Sequence, residues 1–196
     1  FEKIGLVTSA VFSDVDNDAD PDLIVACEWG AVKIFRNDDG VFADATEALG
    51  LQEISGRWQG VATGDFDADG DQDIVATNCG LNVPYPASAQ SPLFLYYGDF
   101  DNNGTFDVIE AHFDSGMQQI VPEKGLAFLS AAIPAVRARA STNKSFAQAS
   151  IDKIIGPAIE TAKRLHITTL AHTAFLNHGD RFVPQHDVRF SRGFWL

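Results

Sequence analysis

A nine-residue stretch with a carboxylate at every second position constrains this chain more than any other feature of its sequence. The stretch reads Asp65-Phe-Asp67-Ala-Asp69-Gly70-Asp71-Gln-Asp73. Its acidic side chains repel one another, so the loop is hard to close unless a cation offsets their charge. Ca²⁺ takes about six to eight oxygen ligands, which a tight loop supplies from alternate side chains and a backbone carbonyl. The pattern therefore predicts calcium ligands at the side chains of Asp65, Asp67, Asp69 and Asp73 and at the carbonyl of Asp71.

The acidic pattern recurs twice, each time between two strand-like runs. The other copies read Asp14-Val-Asp16-Asn-Asp18-Ala19-Asp20-Pro-Asp22 and Asp99-Phe-Asp101-Asn-Asn103-Gly104-Thr105-Phe-Asp107. A single copy could be a solvated surface loop, but an internal repeat decides the architecture of a chain. Residues 14–22, 65–73 and 99–107, named here the first, second and third Asp-rich loops, are therefore predicted to be three metal sites.

Composition and charge narrow the class of protein. The chain has 196 residues, of which 45% are hydrophobic, which suffices for a domain with its own core. Its formal net charge of −13 argues against nucleic acid and anionic membranes as partners. No signal peptide or membrane-spanning run is visible, and the pattern is cut at both ends, so we expect a fragment of a longer chain. Cys27 and Cys79 are expected to be free, buried thiols.

Short strand-like runs around the loops predict an all-β fold. The near-continuous apolar run from Asp22 to Cys27 suits a strand covered on both faces, and Phe35 to Phe42 indicates a hairpin with a Gly-containing turn. Four short strands in about 40 residues make one propeller blade. We therefore predict a partial β-propeller of about three blades over residues 1–196. Its repeat units are placed at about 5–59, 60–92 and 93–196.

Helix-forming sequence interrupts the strand pattern in the third unit. Phe146, Ile151, Ile154 and Ile155 share a helical face, and Gly156-Pro157 follows them directly and is predicted to end the helix. We predict a helical insertion over 115–166. A hairpin at 168–182 repeats the Phe and Asn spacing of the first hairpin and is predicted to close the third unit. The sequence leaves open how the second unit is completed.

These motifs resemble the FG-GAP/VCBS repeats, which build the calcium-binding propellers of integrin α subunits and many bacterial secreted proteins. The likeness rests on the second Asp-rich loop with its preceding Gly60-Val-Ala-Thr-Gly and on the hairpin from Phe35 to Phe42. The sequence from Phe35 to Leu51 is similar to the bacterial branch related to ASPIC/UnbV proteins. The resemblance covers about residues 5–114 and 168–196.

The resemblance also implies the ligands of about three calcium ions. Side-chain ligands are implied at Asp14, Asp16, Asp18 and Asp22 in the first loop, at Asp65, Asp67, Asp69 and Asp73 in the second, and at Asp99, Asp101, Asn103 and Asp107 in the third. Carbonyl ligands are implied at Asp20, Asp71 and Thr105. Three features depart from the family pattern: Ala19 at a position that favours glycine, the missing hairpin after Asn78, and the helical insertion.

An EF-hand is the rival metal site. Its loop needs a glutamate at the twelfth position and flanking helices. The third loop has Glu110 there, but the first two have Val25 and Ala76, and strand-like runs flank all three. The EF-hand is therefore an alternative for the third loop alone.

No catalytic motif stands out, so we predict that the chain is not an enzyme. The five histidines form no His-x-x-x-His pair or Cys/His cluster, and no Gly-x-Ser-x-Gly or phosphate-binding Gly-rich loop occurs. A glycosidase carboxylate pair is not excluded by count, but each dense acidic cluster already belongs to a predicted metal loop. Trp29, Trp58 and Trp195 are expected to pack between blades rather than to form a sugar-binding platform.

The predicted function is that of an extracellular, cell-surface or periplasmic binding or adhesion module. Millimolar extracellular Ca²⁺ fills such loops, whereas resting cytosolic concentrations leave weak sites empty. The expected partners are a protein or glycan ligand and the remaining blades of a longer parent chain. The alternative is a carbohydrate-binding or carbohydrate-active domain on a propeller scaffold.

Overall fold

The computed structural model describes residues 4–83 and 85–185, and its secondary structure is mostly β. Strands hold 40% of the described residues and helices 15%, so the predicted class is right in its coarse form. The strands are β1 (Leu6–Ser13), β2 (Asp22–Ala31), β3 (Lys33–Asp38), β4 (Val41–Asp44), β5 (Ser55–Arg57), β6 (Gly60–Gly64), β7 (Asp73–Thr77), β8 (Leu93–Gly98), β9 (Asp107–Asp114), β10 (Gln119–Pro122), β11 (Lys163–Ile167), β12 (Thr173–Asn177) and β13 (Phe182–Gln185). The helices are α1 (Leu126–Ala132), α2 (Ala135–Arg139), α3 (Asn143–Ala147) and α4 (Ile151–Ile155), and a 3₁₀ helix (Gly156–Glu160) follows.

The chain divides into two compact units, residues 1–89 with 167–196 and residues 90–166. In the first unit, one sheet has the strand order β1-β2-β3-β4, and β5 pairs with β2. Ile24 and Ala26 of β2 face the larger core, whereas Val25 and Cys27 join a smaller cluster with Phe35. Because β2 is buried on both faces, its apolar residues do not alternate with polar ones. This confirms the strand predicted there.

The second sheet corrects the predicted placement of the later hairpin. Its strand order is β6-β7-β12-β13, and Phe175 of β12 lies opposite Ile74 of β7. The prediction that this hairpin closes the third unit is therefore wrong, because it completes the sheet of the second loop. The physical reason is a buried bond in which the amide of Asn177 donates to Asp73 Oδ1 at 2.8 Å. Residues 90–166 lie between β7 and β12 in sequence.

The larger core of this unit combines side chains of both sheets. Trp58 is fully buried, and its ring meets that of Phe175 edge-on at 5.8 Å between centroids. Trp29 is 6% exposed. These two tryptophans are therefore packing residues and offer no exposed platform for a sugar. Trp195 lies outside the described residues.

Residues 90–166 form a third sheet covered by helices. The strand order is β10-β9-β8-β11, and Ile109 and Ala111 of β9 pack with Leu129, Ile133 and Ile154 of the helices. The predicted insertion over 115–166 contains all the helices described above. It also contains β10 and most of β11, which belong to the sheet and, at four and five residues, are too short for a periodic signal.

Two smaller predictions can be checked here. The helix α4 ends at Ile155, before Gly156 with its φ of 67°, as the Gly-Pro pair predicted. The single helical face predicted for Phe146 and the three isoleucines is wrong, because Phe146 lies in α3 and the isoleucines lie in α4. Neither cysteine forms a disulfide; Cys27 is buried as expected, but Cys79 is exposed. Within the described residues, no helix is long and apolar enough to cross a membrane.

Candidate metal sites

Each Asp-rich loop joins two neighbouring antiparallel strands of one sheet. The first loop joins β1 to β2, the second joins β6 to β7, and the third joins β8 to β9. In each loop three carboxylates offer one oxygen each, and these atoms all lie within 4.8 Å of one another. The three clusters are Asp14, Asp16 and Asp18; Asp65, Asp67 and Asp73; and Asp99, Asp101 and Asp107. Predicted ligands thus converge at the same place in all three sheets.

The first aspartate of each loop shapes the backbone around itself. Asp65 accepts hydrogen bonds from the amides of Asp69 and Gly70, both at 3.2 Å. The matching bonds in the other two loops reach Asp14 from Asp18 and Ala19, and Asp99 from Asn103 and Gly104. These bonds curl each loop around its first carboxylate and bring the later carboxylates close to it.

Two positions in each loop have left-handed backbone, with φ between 60° and 99°. They are Asn17 and Ala19 in the first loop, Ala68 and Gly70 in the second, and Asn102 and Gly104 in the third. Glycine adopts this conformation without strain and asparagine adopts it more readily than most residues, but alanine does not. The first two loops therefore each hold one strained alanine. Positive φ at Ala19 was expected, whereas Ala68 was missed because the motif marks only the sixth position as a turn.

The last aspartate of each loop anchors the loop to its sheet. Asp22 and Asp73 are fully buried, and Asp107 is 9% exposed. Each accepts a hydrogen bond at 2.8–2.9 Å from the amide of the loop's second residue, which is Val15, Phe66 or Phe100. Asp22 and Asp73 use their other oxygen for the amide of a hairpin asparagine, Asn37 or Asn177. In the first loop the close cluster holds Asp18 in place of this anchoring residue.

Crowding and lost hydration oppose the negative charge of these carboxylates. The pKa of Asp67 is raised by lost hydration and then by the charges of Asp69 and Asp73. The pKa of Asp107 is raised by burial, although the amide of Phe100 acts in the opposite direction. A nearby positive charge favours the charged form of such groups. A bound cation would therefore offset the unfavourable negative charge of the carboxylates in the metal-free loops.

The first loop has a cationic side chain of its own. Arg36 Nε lies 3.3 Å from Asp16 Oδ2. The pKa of Asp16 is nevertheless raised, because burial and the charge of Asp22 outweigh the effect of Arg36. The other oxygen, Asp16 Oδ1, is buried and has no hydrogen-bond partner among the described residues. An orphaned carboxylate oxygen beside two further carboxylates fits a bound cation.

Calcium suits the donors of all three loops. The clusters consist of aspartate oxygens, which are the hard ligands that Ca²⁺ prefers. Ca–O distances of about 2.3–2.6 Å place ligands on opposite sides of one ion about 5 Å apart. Oxygens within 4.8 Å of one another can therefore share a single ion.

The fifth residue of each loop is a predicted ligand that makes a local hydrogen bond in this structure. Asp18, Asp69 and Asn103 each accept a hydrogen bond from the amide two residues later. Those amides belong to Asp20, Asp71 and Thr105, the residues predicted to give carbonyl ligands. The carbonyl roles stay predictions, and so do the side-chain ligand roles in all three loops.

Sequence reasoning missed the side chains that hold the loops in place. Arg36, Asn37 and Asn177 all come from hairpins that are distant in sequence from the loop aspartates they contact. One signal for the asparagines was present, because both hairpins place an asparagine two residues after a phenylalanine. Nothing in the local pattern pointed to Arg36.

The alternative sites, an EF-hand and a histidine metal site, fit the structure less well. The third loop lies between β8 and β9, and Glu110 is itself part of β9, so the EF-hand alternative is wrong. His112 forms an ion pair with Glu123, and His172 Nδ1 accepts a hydrogen bond from the amide of Asn78 at 2.8 Å. Burial raises the pKa of Glu123 even though His112 acts to lower it. These histidines therefore have structural partners.

Comparison with protein families matches residues 14–76 to the family described as FG-GAP-like repeat. The matched segment contains the first two Asp-rich loops and the strands between them. The match of residues 14–76 confirms the resemblance to FG-GAP repeats, whereas the relation to ASPIC/UnbV proteins stays a prediction. A comparison with curated protein sequences found no match, and neither did one with solved structures. The third loop lies outside the matched residues and shares the geometry of the first two.

Proposed function

Taking the chain as an FG-GAP repeat protein, we propose that it is part of a calcium-stabilised β-propeller and serves as a binding or adhesion module outside the cytoplasm. The observation that carries the proposal is that a cluster of three aspartates recurs three times at the same strand–loop–strand junction. One acidic cluster on a surface is common, whereas three copies in equivalent positions indicate a repeated role.

The strand orders support a propeller of about three blades in this chain. A blade is a four-stranded antiparallel sheet. The sheets β1-β2-β3-β4 and β6-β7-β12-β13 share one plan, in which a loop joins the first two strands and a hairpin follows. The third sheet has its loop at the same junction, but its fourth strand, β11, pairs beside β8. The remaining blades would come from a longer parent chain.

An extracellular or periplasmic setting follows from the sites themselves. Weak Ca²⁺ loops are filled at the concentrations outside cells and are empty in resting cytosol. The ligand of such a module would be a protein or a glycan. The buried Trp29 and Trp58 offer no stacking surface to a sugar.

Thermal unfolding in calcium and in EGTA tests the metal part of the proposal. A ligand that binds only the folded state stabilises it by RT ln(1 + [L]/Kd), about 2.7 kcal/mol per site at a hundredfold excess. Three filled sites would add about 8 kcal/mol, comparable to the whole stability of a typical domain. We expect a large fall of Tm in EGTA that excess calcium restores and magnesium does not. An unchanged Tm would contradict calcium binding.

Arrays of extracellular proteins and of glycans test the binding part. We expect the chain to retain at least one partner in calcium and to lose it in EGTA. A variant with Asp67→Ala, Asp16→Ala and Asp101→Ala should fail in calcium as well, whereas Glu53→Gln, an exposed acidic residue outside the loops, should not. Turnover of a sugar substrate would contradict a purely binding role.

A further inference from the structure

One buried side chain joins the first and second Asp-rich loops. Asn177 is 1% exposed, and its Nδ2 donates to the carbonyl of Val15 at 2.8 Å and to the carbonyl of Gln72 at 3.2 Å. Its Oδ1 accepts from the amide of Gly179 at 3.0 Å. Both ends of the side-chain amide are thus in use, so its orientation is fixed. Val15 belongs to the first loop and Gln72 to the second.

The bonds continue from this asparagine to the last aspartate of each loop. The amide of Asn177 donates to Asp73 Oδ1, and the amide of Val15 donates to Asp22 Oδ2 at 2.9 Å. A continuous path therefore runs from Asp73 through Asn177 and Val15 to Asp22. Leaving a buried donor or acceptor unsatisfied is strongly unfavourable. A movement of either aspartate is therefore resisted by the bonds that hold the other.

A second link joins the same two loops at the surface. Asn17 Nδ2 donates to Asp71 Oδ1 at 2.8 Å. Asn17 has a left-handed backbone with φ of 60°, so the loop must be curled for its side chain to reach across. Asp71 is the residue whose carbonyl is a predicted ligand of the second loop. Ordering of either loop therefore favours the order of its neighbour.

Asn37, the corresponding asparagine of the first sheet, shows which of these bonds are found only at Asn177. Asn37 also donates its amide to the last aspartate of a loop, and its Nδ2 donates to the carbonyl of Pro21 at 3.2 Å. Its Oδ1 accepts from Gly40 at 2.9 Å, as the Asn177 Oδ1 does from Gly179. Both asparagines anchor their own loop, but the bonds of Asn37 described here reach the first loop alone. Of these two hairpin asparagines, Asn177 is the one whose side chain bonds to both loops.

We propose that the first and second loops bind calcium as a coupled pair, with Asn177 and Asn17 carrying the coupling. The inference rests on the proposed calcium binding and goes beyond it. An ion in one loop fixes the shared bonds, so the neighbouring loop is already ordered when its own ion binds. Coupling between sites is reciprocal and is typically about 5–150-fold in affinity.

A calcium titration followed by ¹H–¹⁵N NMR of the full chain measures the coupling. The amides of Ala19, Gly70 and Gly104 report on the first, second and third loops separately. Asp67→Ala disables the second loop and should weaken calcium binding at the first loop about fivefold or more. Asp16→Ala should weaken the second loop by the same factor, because coupling is reciprocal.

Matched substitutions separate the hydrogen bonds from through-space electrostatics. Asn17→Gly keeps the left-handed backbone and removes the surface link, whereas Asn102→Gly makes the same change in the third loop, where φ is 61°. Charge is unchanged in both variants. We expect the coupling factor between the first two loops to fall in Asn17→Gly and to keep its parent value in Asn102→Gly. Asn177→Ala should also lower the coupling factor where the variant folds, while Asn37→Ala should weaken the first loop alone.

The outcomes distinguish this inference from the function on which it rests. Equal calcium affinity of the first loop with and without Asp67 overturns the coupling and leaves calcium binding intact. A coupling factor that is the same in Asn17→Gly and in Asn102→Gly overturns the role of the surface link. Absence of calcium-dependent shifts at all three reporter amides overturns the proposed function and the coupling together.

Discussion

At the scale of single residues, two alanines limit the stability of the first two loops. Ala19 and Ala68 have φ of 75° and 65°, where a side chain with a Cβ atom is strained by about 1–2 kcal/mol. Glycine removes this strain but adds about 0.4–1 kcal/mol of unfolded-state entropy to be lost on folding. We expect Ala19→Gly and Ala68→Gly each to raise the free energy of unfolding in calcium by up to about 1 kcal/mol.

Denaturant unfolding and calorimetry check this expectation. Ala43→Gly, in the exposed strand β4 where φ is not positive, serves as the control and should lower stability. Calcium binding at the first loop should also tighten in Ala19→Gly, since the free loop is then curled more easily. A loss of stability at Ala19 as large as at Ala43 would contradict the strain argument.

The Asp67 carboxylate should destabilise the fold in EGTA and stabilise it in calcium. The pKa of Asp67 is raised by lost hydration and by Asp69 and Asp73, so its charge is unfavourable in the metal-free fold. Asp67→Asn keeps the shape and removes that charge, and should raise Tm in EGTA. In calcium the same variant loses a predicted ligand and should have a lower Tm than the parent.

Glu53→Gln controls for the general effect of removing a negative charge, since Glu53 is exposed and lies outside the loops. It should shift Tm by a similar small amount in both solutions. A Tm for Asp67→Asn that is lower than the parent's in EGTA would mean that the acidic cluster is not strained without metal.

At the scale of elements, the sequence pattern predicted those features that depend on interactions between residues close together in the chain. The loops, the strand β2 and the end of α4 before Gly156 follow from spacing, apolar runs and backbone preference. The place of the later hairpin does not, because Asn177 reaches Asp73 across 104 residues and Val15 across 162. The contact between Arg36 and Asp16 escaped notice for the same reason. Such contacts depend on which strands become neighbours, and periodicity carries no information on that.

The corrected sheet order gives a prediction about residues 90–166. These residues have their own sheet and core, while β6-β7-β12-β13 is complete without them. The amide of Gly80 donates to the carbonyl of Leu170 at 2.8 Å, so the chain segments on either side of the interruption meet at this bond. Replacing 90–166 by a short Gly/Ser linker should leave the first two sheets folded, with calcium sites only at the first two loops.

Hydrogen exchange and calcium calorimetry of the shortened chain decide this. The buried amide of Asn177 should stay protected, and the stoichiometry should be two ions. Phe175→Ala in the same shortened chain is the control, because removing a fully buried phenylalanine costs about 3–5 kcal/mol and should unfold it. Loss of protection in the shortened chain without that substitution would show that the second sheet depends on 90–166.

At the scale of the whole molecule, exposed apolar groups and net charge act against each other. On the first sheet Phe12 is 62% exposed and Phe42 is 36% exposed, with their rings 6.4 Å apart. Val41 is 69% exposed on β4, which is an edge of that sheet among the described strands. Exposed apolar patches and sheet edges favour association between chains. The net charge of −13 opposes it through repulsion.

Calcium should shift this balance, because ions bound in the loops reduce the negative charge while the apolar groups stay exposed. We therefore expect the 196-residue chain to self-associate, and to do so more strongly in calcium than in EGTA at low salt. Sedimentation velocity over a range of concentrations measures this self-association.

Phe12→Ser combined with Val41→Lys should restore a monomer in calcium. Phe128→Ser, a change at a phenylalanine that is 63% exposed on α1, should leave association unchanged. A monodisperse monomer of the parent chain in saturating calcium would contradict the expectation, because the first sheet would then need no neighbour.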